Sequence, residues 1–330
     1  MFPQEITSTL TTLFRQNTRR VVVFLQGPPG IGKTAAVGQA AQAASKNLMT
    51  FALPTCESVD LRGLPNIVNG TTQWASPLPR TGQGVLLLDE LSSAAPDVQV
   101  AAHHLVHAEP GSDMSLPAGW HLVLTGNRAA DKTHYRATSA PLRNRLVMIN
   151  CEPDVAQWAE WAMDNNIAPT VTAFLRWRPE LLISKEIPGE GAFPSPRSWE
   201  ATSNILDLQM GAAIEREMIL GAIGEGATTE FAAYLRAARD LPNIESILEA
   251  PTKAAVPKSP AQLYALATSL AQYTREHKKS AMRYITRMPA EFALLYVMDV
   301  RRGHYDIRAD KEIGKWIVEH QKLFDTEASA

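Results

Sequence analysis

A chain of 330 residues exceeds the size at which a single hydrophobic core keeps growing, so two or three folded units are expected. Its 32 basic and 34 acidic residues leave a net charge of −2, and no block of lysine and arginine suited to a phosphate backbone is present, which places nucleic acid second among partners. The longest apolar runs fall far short of a membrane span, the N-terminus lacks a basic segment followed by an apolar one, and Cys56 and Cys151 lie outside any C-x-x-C pattern; the expected setting is cytoplasmic, with both thiols reduced and half-buried.

Val21 to Leu25 is an unbroken apolar run rich in β-branched residues, as suits a strand buried on both faces of a parallel sheet. The loop Gly27-Pro28-Pro29-Gly30-Ile31-Gly32-Lys33-Thr34 follows at once. Its glycines let successive backbone N–H groups turn inward onto phosphate oxygens, Lys33 adds a positive charge for the β- and γ-phosphates, and Thr34 is left to ligate magnesium. Ala35 to Ala44 is alanine-rich with Val37, Ala40, Ala41 and Ala44 at helical spacing, so the loop opens into a helix N-terminus that favours an anion. Strand, phosphate loop and helix thus occur in the order that nucleotide binding requires.

Further on, "RGLPNIVNGTTQWASPLPR" carries Asn69-Gly70 between "NIV" and "TTQW", a strong hairpin signal, in which Trp74 reads first as local packing. In "GVLLLDEL", Val85 to Leu88 deliver Asp89 and Glu90 to the C-terminal end of a buried strand, the edge where open α/β sheets bind ligands. There Asp89 would hold the magnesium through water and Glu90 would orient and deprotonate the attacking water. His103 and His107 in "HHLVH" share a helix face, but His104 stands where a zinc protease has its glutamate and no third ligand is evident. They read as residues of a surface or subunit-contact helix. The strand "WHLVLTGNR" ends at Asn127, able to reach between the second carboxylate and the γ-phosphate, and "SAPLRNRLVMIN" places Arg143 and Arg145 ahead of another apolar strand.

After residue 150 helices take over, with Val155, Trp158, Ala159 and Ala162 on one apolar face and Val171, Phe174 and Leu175 on another, ended by Arg178-Pro179. In "SPRSWE", Ser195 caps a helix, Pro196 takes its first position and Arg197 falls in the first turn, where the helix dipole disfavours a cation unless an anion is near. "APTKAAVPKSP" at 250 to 260 reads as a linker, and Ser259-Pro260 starts a helix with Leu263, Leu266, Ala267 and Leu270 inward. Phe292, Leu295 and Met298 read as core of a C-terminal helical piece.

The order of these parts resembles the AAA+ ATPases, and "ESVDLRGLP", "DELSSAAPDVQVAAHHLV" and "FPSPRSWE" are similar to the MoxR branch, in particular bacterial and phage MoxR-like proteins. The resemblance implies an α/β P-loop module with a parallel sheet over residues 1–150, a helical lid over 151–250 and a helical C-terminal extension over 251–330. It makes Gly27 to Thr34 the Walker A loop, Asp89 and Glu90 Walker B, Asn127 sensor 1, Arg145 the arginine finger with Arg143 as its alternative, and Arg197 sensor 2; Leu146 stands where the finger motif usually has phenylalanine. The hairpin is an insert whose Thr71 to Trp74 would face a pore or partner, and "AEPGSDMSLPAGW" resembles the pre-sensor hairpin. The implied activity is magnesium-dependent ATP hydrolysis by a homo-oligomeric ring, a hexamer, that remodels or activates a partner protein, often one with a von Willebrand factor A domain. A nucleic-acid motor or loader on the same module is the first alternative and a nucleotide-gated switch the second, although a switch has little use for Glu90. Nothing in the sequence reads the purine ring, so ATP and GTP are not distinguished by it.

Overall fold

The computed structural model describes residues 1–16, 21–109, 111–131, 135–239, 241, 243–302 and 311–320. The chain divides into two compact units, Met1–Asp154 with Lys185–Ile187, and Val155–Ser184 with Pro188–Ala330.

The first unit runs α1 (Pro3–Arg15), β1 (Val23–Gln26), α2 (Lys33–Ala43), β2 (Asn47–Ala52), α3 (Ser58–Arg62), β3 (Leu64–Val68), β4 (Thr71–Ala75), β5 (Gln83–Asp89), α4 (Pro96–His107), β6 (Gly119–Gly126), α5 (Ala140–Arg143) and β7 (Val147–Asn150). Five strands form a parallel sheet in the order β2-β5-β6-β1-β7. Because side chains alternate along a strand, its apolar runs feed two cores. Val23, Leu25, Val85, Leu87 and Val123 pack with Ile6, Leu10 and Phe14 of α1 and Val37 of α2. Phe24, Leu86, Leu88, Leu122 and Leu124 turn the other way, onto Leu61 of α3 and Val98, Ala102 and Leu105 of α4. Gln26 lies opposite Gly126, and Leu88 opposite Leu124. The carboxyl ends of β1, β5 and β6 therefore finish side by side.

β3 and β4 pair antiparallel as a separate hairpin, with Asn69 and Gly70 both at positive φ in its turn, as the two-residue loop requires. The Arg62 guanidinium sits 5.2 Å from the Trp74 ring centroid, so Trp74 packs locally as expected. Leu64 and Ile67 of β3 remain 62% and 77% exposed. The segment resembling a pre-sensor hairpin forms no ladder among its described residues; Glu109 and Ser112 accept hydrogen bonds of successive turns instead. Two prolines, Pro110 and Pro117, deny it the run of donors a strand pair needs, and Pro110 itself lies outside the described residues.

The second unit is helical: α6 (Val155–Asp164), α7 (Pro169–Trp177), α8 (Pro196–Asp207), α9 (Ala212–Arg239), α10 (Ile244–Glu249), α11 (Pro260–Gln272), α12 (Thr274–Ile285), α13 (Ala290–Arg302) and α14 (Lys311–Glu319). α9 bends at Gly224. One core centres on Phe174, whose ring lies 5.5 Å from Trp199, 5.0 Å from Phe231 and 5.3 Å from Tyr234, within the favourable range for aromatic pairs. Ala261 and Ala265 of α11 belong to the same core, so the helices before and after residue 250 share it. A second core gathers Leu266 and Leu270 of α11, Ile285 of α12 and Phe292 and Val297 of α13, with Leu295 and Met298 partly buried against it. The stretch at 250 to 260 is not a free linker. Arg287 donates to the Pro251 and Ala254 carbonyls and Tyr284 to the Ala255 carbonyl, while Val256 packs on the second core. Its composition matched a linker because the groups that hold it lie some thirty residues downstream. Between α7 and α13, Arg176 meets Asp299 in a buried two-bond pair at 2.6 and 2.7 Å. No helix among the described residues is long and apolar enough to cross a membrane.

Candidate nucleotide site

The loop Gly27 to Gly32 leaves the end of β1 and enters α2 at Lys33. Gly27 donates its N–H to the Gly126 carbonyl at 3.3 Å, and Cys151 donates to Gln26 at 2.6 Å, so the loop starts pinned between β6 and the end of β7. A Cβ on Gly27 would stand 2.6 Å from the Cys151 carbonyl oxygen, a distance only glycine avoids. Ile31 is buried and anchors the loop's middle in the α1–α2 core.

Lys33 turns back into the loop. Its ammonium donates to the carbonyls of Gly27 and Pro28 at 2.7 and 2.8 Å and to Asn127 Oδ1 at 3.2 Å. Burial pulls its pKa down to about 8, opposed by the carboxylates of Asp131, Asp89 and Glu90, which favour the charged form. The same burial pushes the Cys151 thiol up to about 11, so this cysteine is a protonated, inert neighbour, fully buried rather than half-buried. Thr34 donates to both carboxylate oxygens of Asp89 at 3.0 and 3.1 Å. The fold thus brings two hydrogen-bonded pairs to one sheet edge, Lys33 with Asn127 and Thr34 with Asp89. Glu90, exposed on the same edge, follows Asp89 with φ 61 and ψ 41, a left-handed conformation unusual for a residue with a Cβ.

Two hydroxyls that the sequence reading did not single out complete the arrangement. Thr125, fully buried in β6, accepts the Glu90 N–H at 3.1 Å and donates to Asp89 Oδ1. Ser92, also fully buried, accepts the Asn127 N–H at 2.7 Å, while its carbonyl accepts from Arg136 at 2.7 Å. For Thr125 the available signal was a polar residue inside an otherwise apolar buried strand, where a hydroxyl needs a partner; Ser92 lies in the turn after β5. Beyond Asn127, Arg128 closes onto Asp131 with its backbone N–H at 2.7 Å and its guanidinium at 2.9 Å, fixing the turn that carries the asparagine.

Arg143 and Arg145 belong to the same unit as these pairs, and Arg197 to the helical unit. Arg143 ends α5 and Arg145 follows it, both exposed. The Arg145 guanidinium reaches the Pro141 carbonyl at 3.5 Å and lies near His103 and His107, which with partial burial and their histidine neighbours it helps to hold below the usual imidazole range. Those two rings meet edge to face at 4.2 Å on α4, and among the described residues no three histidine, cysteine or acidic side chains gather as metal ligands. Arg197 sits exposed in the first turn of α8, behind a Ser195 cap that accepts the Ser198 N–H at 3.2 Å.

Residues 22–146 match the family model for the AAA domain of the dynein-related subfamily. No curated protein matches the chain. Solved structures similar to it include the RuvB Holliday junction branch migration motor of Thermotoga maritima, 16% identical with a TM-score of 0.41 over 84% of this chain and 75% of that one. Another is NtrX from Brucella abortus in complex with ADP, 16% identical with a TM-score of 0.39 over 98% of this chain and 67% of that one. The strand-end geometry and the family model converge on one segment: residues 22–146 are similar to an AAA domain of the dynein-related subfamily, on a P-loop parallel sheet suited to an ATPase.

Proposed function

We propose that the protein is a MoxR-type motor, a homo-oligomeric ring that couples magnesium-dependent ATP hydrolysis to remodelling or activation of a partner protein. The observation that carries the ring is the position of Arg145. It is exposed and joined to Pro141 rather than to the Lys33–Asn127 or Thr34–Asp89 pair, so a finger role for it, or for Arg143, calls for the site of a second copy. A hexamer is the closed form the family likeness implies. Thr34 and Asp89 offer convergent oxygen donors, the hard ligands that Mg²⁺ takes, and would hold the ion beside the phosphates. The ion when bound supplies charge neutralisation on the transferring phosphoryl group. Glu90 would take the proton of the attacking water, Asn127 would orient that water or the γ-phosphate, and Arg197 would act as sensor 2 from the helical unit. The exposed β3–β4 hairpin, with Leu64 and Ile67 open to solvent, supports a partner-facing surface that includes Thr71 to Trp74, and a protein with a von Willebrand factor A domain is the partner class the likeness implies.

The test is subunit complementation. Arg145→Ala is expected to bind ATP nearly normally and to lose roughly 10³-fold in turnover, the scale of an arginine finger. Lys33→Ala is expected not to bind. A mixture of the two should recover turnover, because the Lys33-defective copy lends its finger to a neighbour with a sound loop. A mixture that exchanges subunits and stays inactive overturns the in-trans assignment, and turnover stimulated by DNA or RNA and weakened by salt would point to the nucleic-acid motor instead.

A further inference from the structure

Glu90 is the residue on which hydrolysis rests in the reading above, and its backbone is in a conformation that costs free energy for any residue with a Cβ. Such a conformation persists only where the surroundings over-determine it. Both backbone polar groups of Glu90 are engaged: its carbonyl accepts the Ser93 N–H at 2.9 Å, and its N–H is taken by Thr125 Oγ1 at 3.1 Å. The same Thr125 hydroxyl gives its hydrogen to Asp89 Oδ1, and Asp89 in turn receives the Thr34 hydroxyl. One fully buried side chain therefore holds the backbone of the base and the carboxylate of the metal holder at once. Valine, with the same shape, can do neither.

We infer that Thr125 is a positioning residue for hydrolysis: its hydroxyl fixes the left-handed backbone at Glu90 relative to Asp89 and so sets where the Glu90 carboxylate meets the attacking water. Its hydrogen bonds run to the Glu90 N–H and Asp89 Oδ1, and its effect on the reaction is exerted through Glu90. The inference rests on Glu90 as the general base. Because Thr125 bonds directly to the base's main chain and reaches the phosphate loop only through Asp89, its loss bears mainly on kcat and leaves nucleotide affinity in place. A displacement on the order of 1 Å at a catalytic group costs about 10²-fold, which sets the expected scale.

The experiment measures steady-state ATPase with MgCl₂, and binding of a fluorescent ATP analogue, on the full chain as purified. Thr125→Val is expected to lower kcat by roughly 10- to 100-fold with the analogue's Kd within about threefold of the parent. Thr125→Ser, which keeps the hydroxyl, is expected to return kcat to within about threefold. In a Glu90→Gln background, Thr125→Val should lower the residual rate no further, since the group it positions is gone. Unchanged kcat in Thr125→Val beside an inactive Glu90→Gln overturns the role of Thr125 alone, whereas parental turnover in Glu90→Gln overturns the reading of the base on which it rests. An additional loss in the double variant, or a Kd that weakens in step with kcat, also overturns it. Where Thr125→Val fails to fold, Thr125→Ser decides: a tenfold or greater loss of kcat there refutes the hydroxyl's role.

Discussion

In the sheet unit buried and half-buried polar groups meet at the carboxyl ends of β1, β5 and β6, where Lys33, Asn127 and Ser92 form one hydrogen-bonded chain and Thr34, Asp89 and Thr125 another. In the helical unit the largest buried side chains are aromatic, and the Arg176–Asp299 pair ties two helices far apart in sequence. The polar groups gathered at the strand ends of the first unit are placed for chemistry, whereas the Arg176–Asp299 pair of the second holds elements together. Substitutions of similar chemical character should therefore change different observables.

The largest effect belongs to the first unit. Glu90→Gln is expected to keep ATP binding while turnover falls by about 10²- to 10⁴-fold, the usual worth of a general base, with the melting temperature close to the parent's. Parental turnover would break the contrast at its chemical end. Next, Arg176→Met should leave the Asp299 carboxylate buried without its guanidinium and cost about 3–5 kcal/mol in denaturant unfolding. Replacing both partners, Arg176→Met with Asp299→Leu, should recover most of that loss, because two apolar groups need no compensation. A single variant with parental stability would show that the pair is not what joins α7 to α13.

The smallest effect lies away from the site, at His121 on β6. Its ring is buried against Phe14 at 5.3 Å, both ring nitrogens lack a well-formed hydrogen bond, and burial first, then Lys46, hold its pKa below the ordinary imidazole value despite weak contacts with the Gln16 and Phe14 backbone. The unfolded chain then binds the proton more readily, so the contribution to stability is present above the ordinary value near 6.5 and is lost as pH falls below it. His121→Phe should flatten that part of the stability profile between about pH 7 and 5.5. A slope as steep as the parent's would assign the acid sensitivity elsewhere.

How much of this could be read from sequence followed the same divide. The phosphate loop, Asp89, Glu90 and Asn127 were legible because each sits at a strand end within a short local pattern, and parallel strands bring such ends together without further instruction. Thr125 and Ser92 escaped because a hydroxyl in "LVLTG" or "ELSS" has no pattern of its own; its meaning comes from the neighbour across the sheet. Leu263, Leu266, Ala267 and Leu270 were legible from helical spacing, whereas Arg176 with Asp299 and Arg287 with Pro251 were not, since no local rule links residues so far apart in the chain.

The Lys33 ammonium bears on the energetics of loading. All three of its protons already have acceptors within the protein, in Gly27, Pro28 and Asn127. A phosphate arriving at the loop therefore exchanges partners with that lysine instead of adding new ones, and the net gain per contact is smaller than a count of final hydrogen bonds would give.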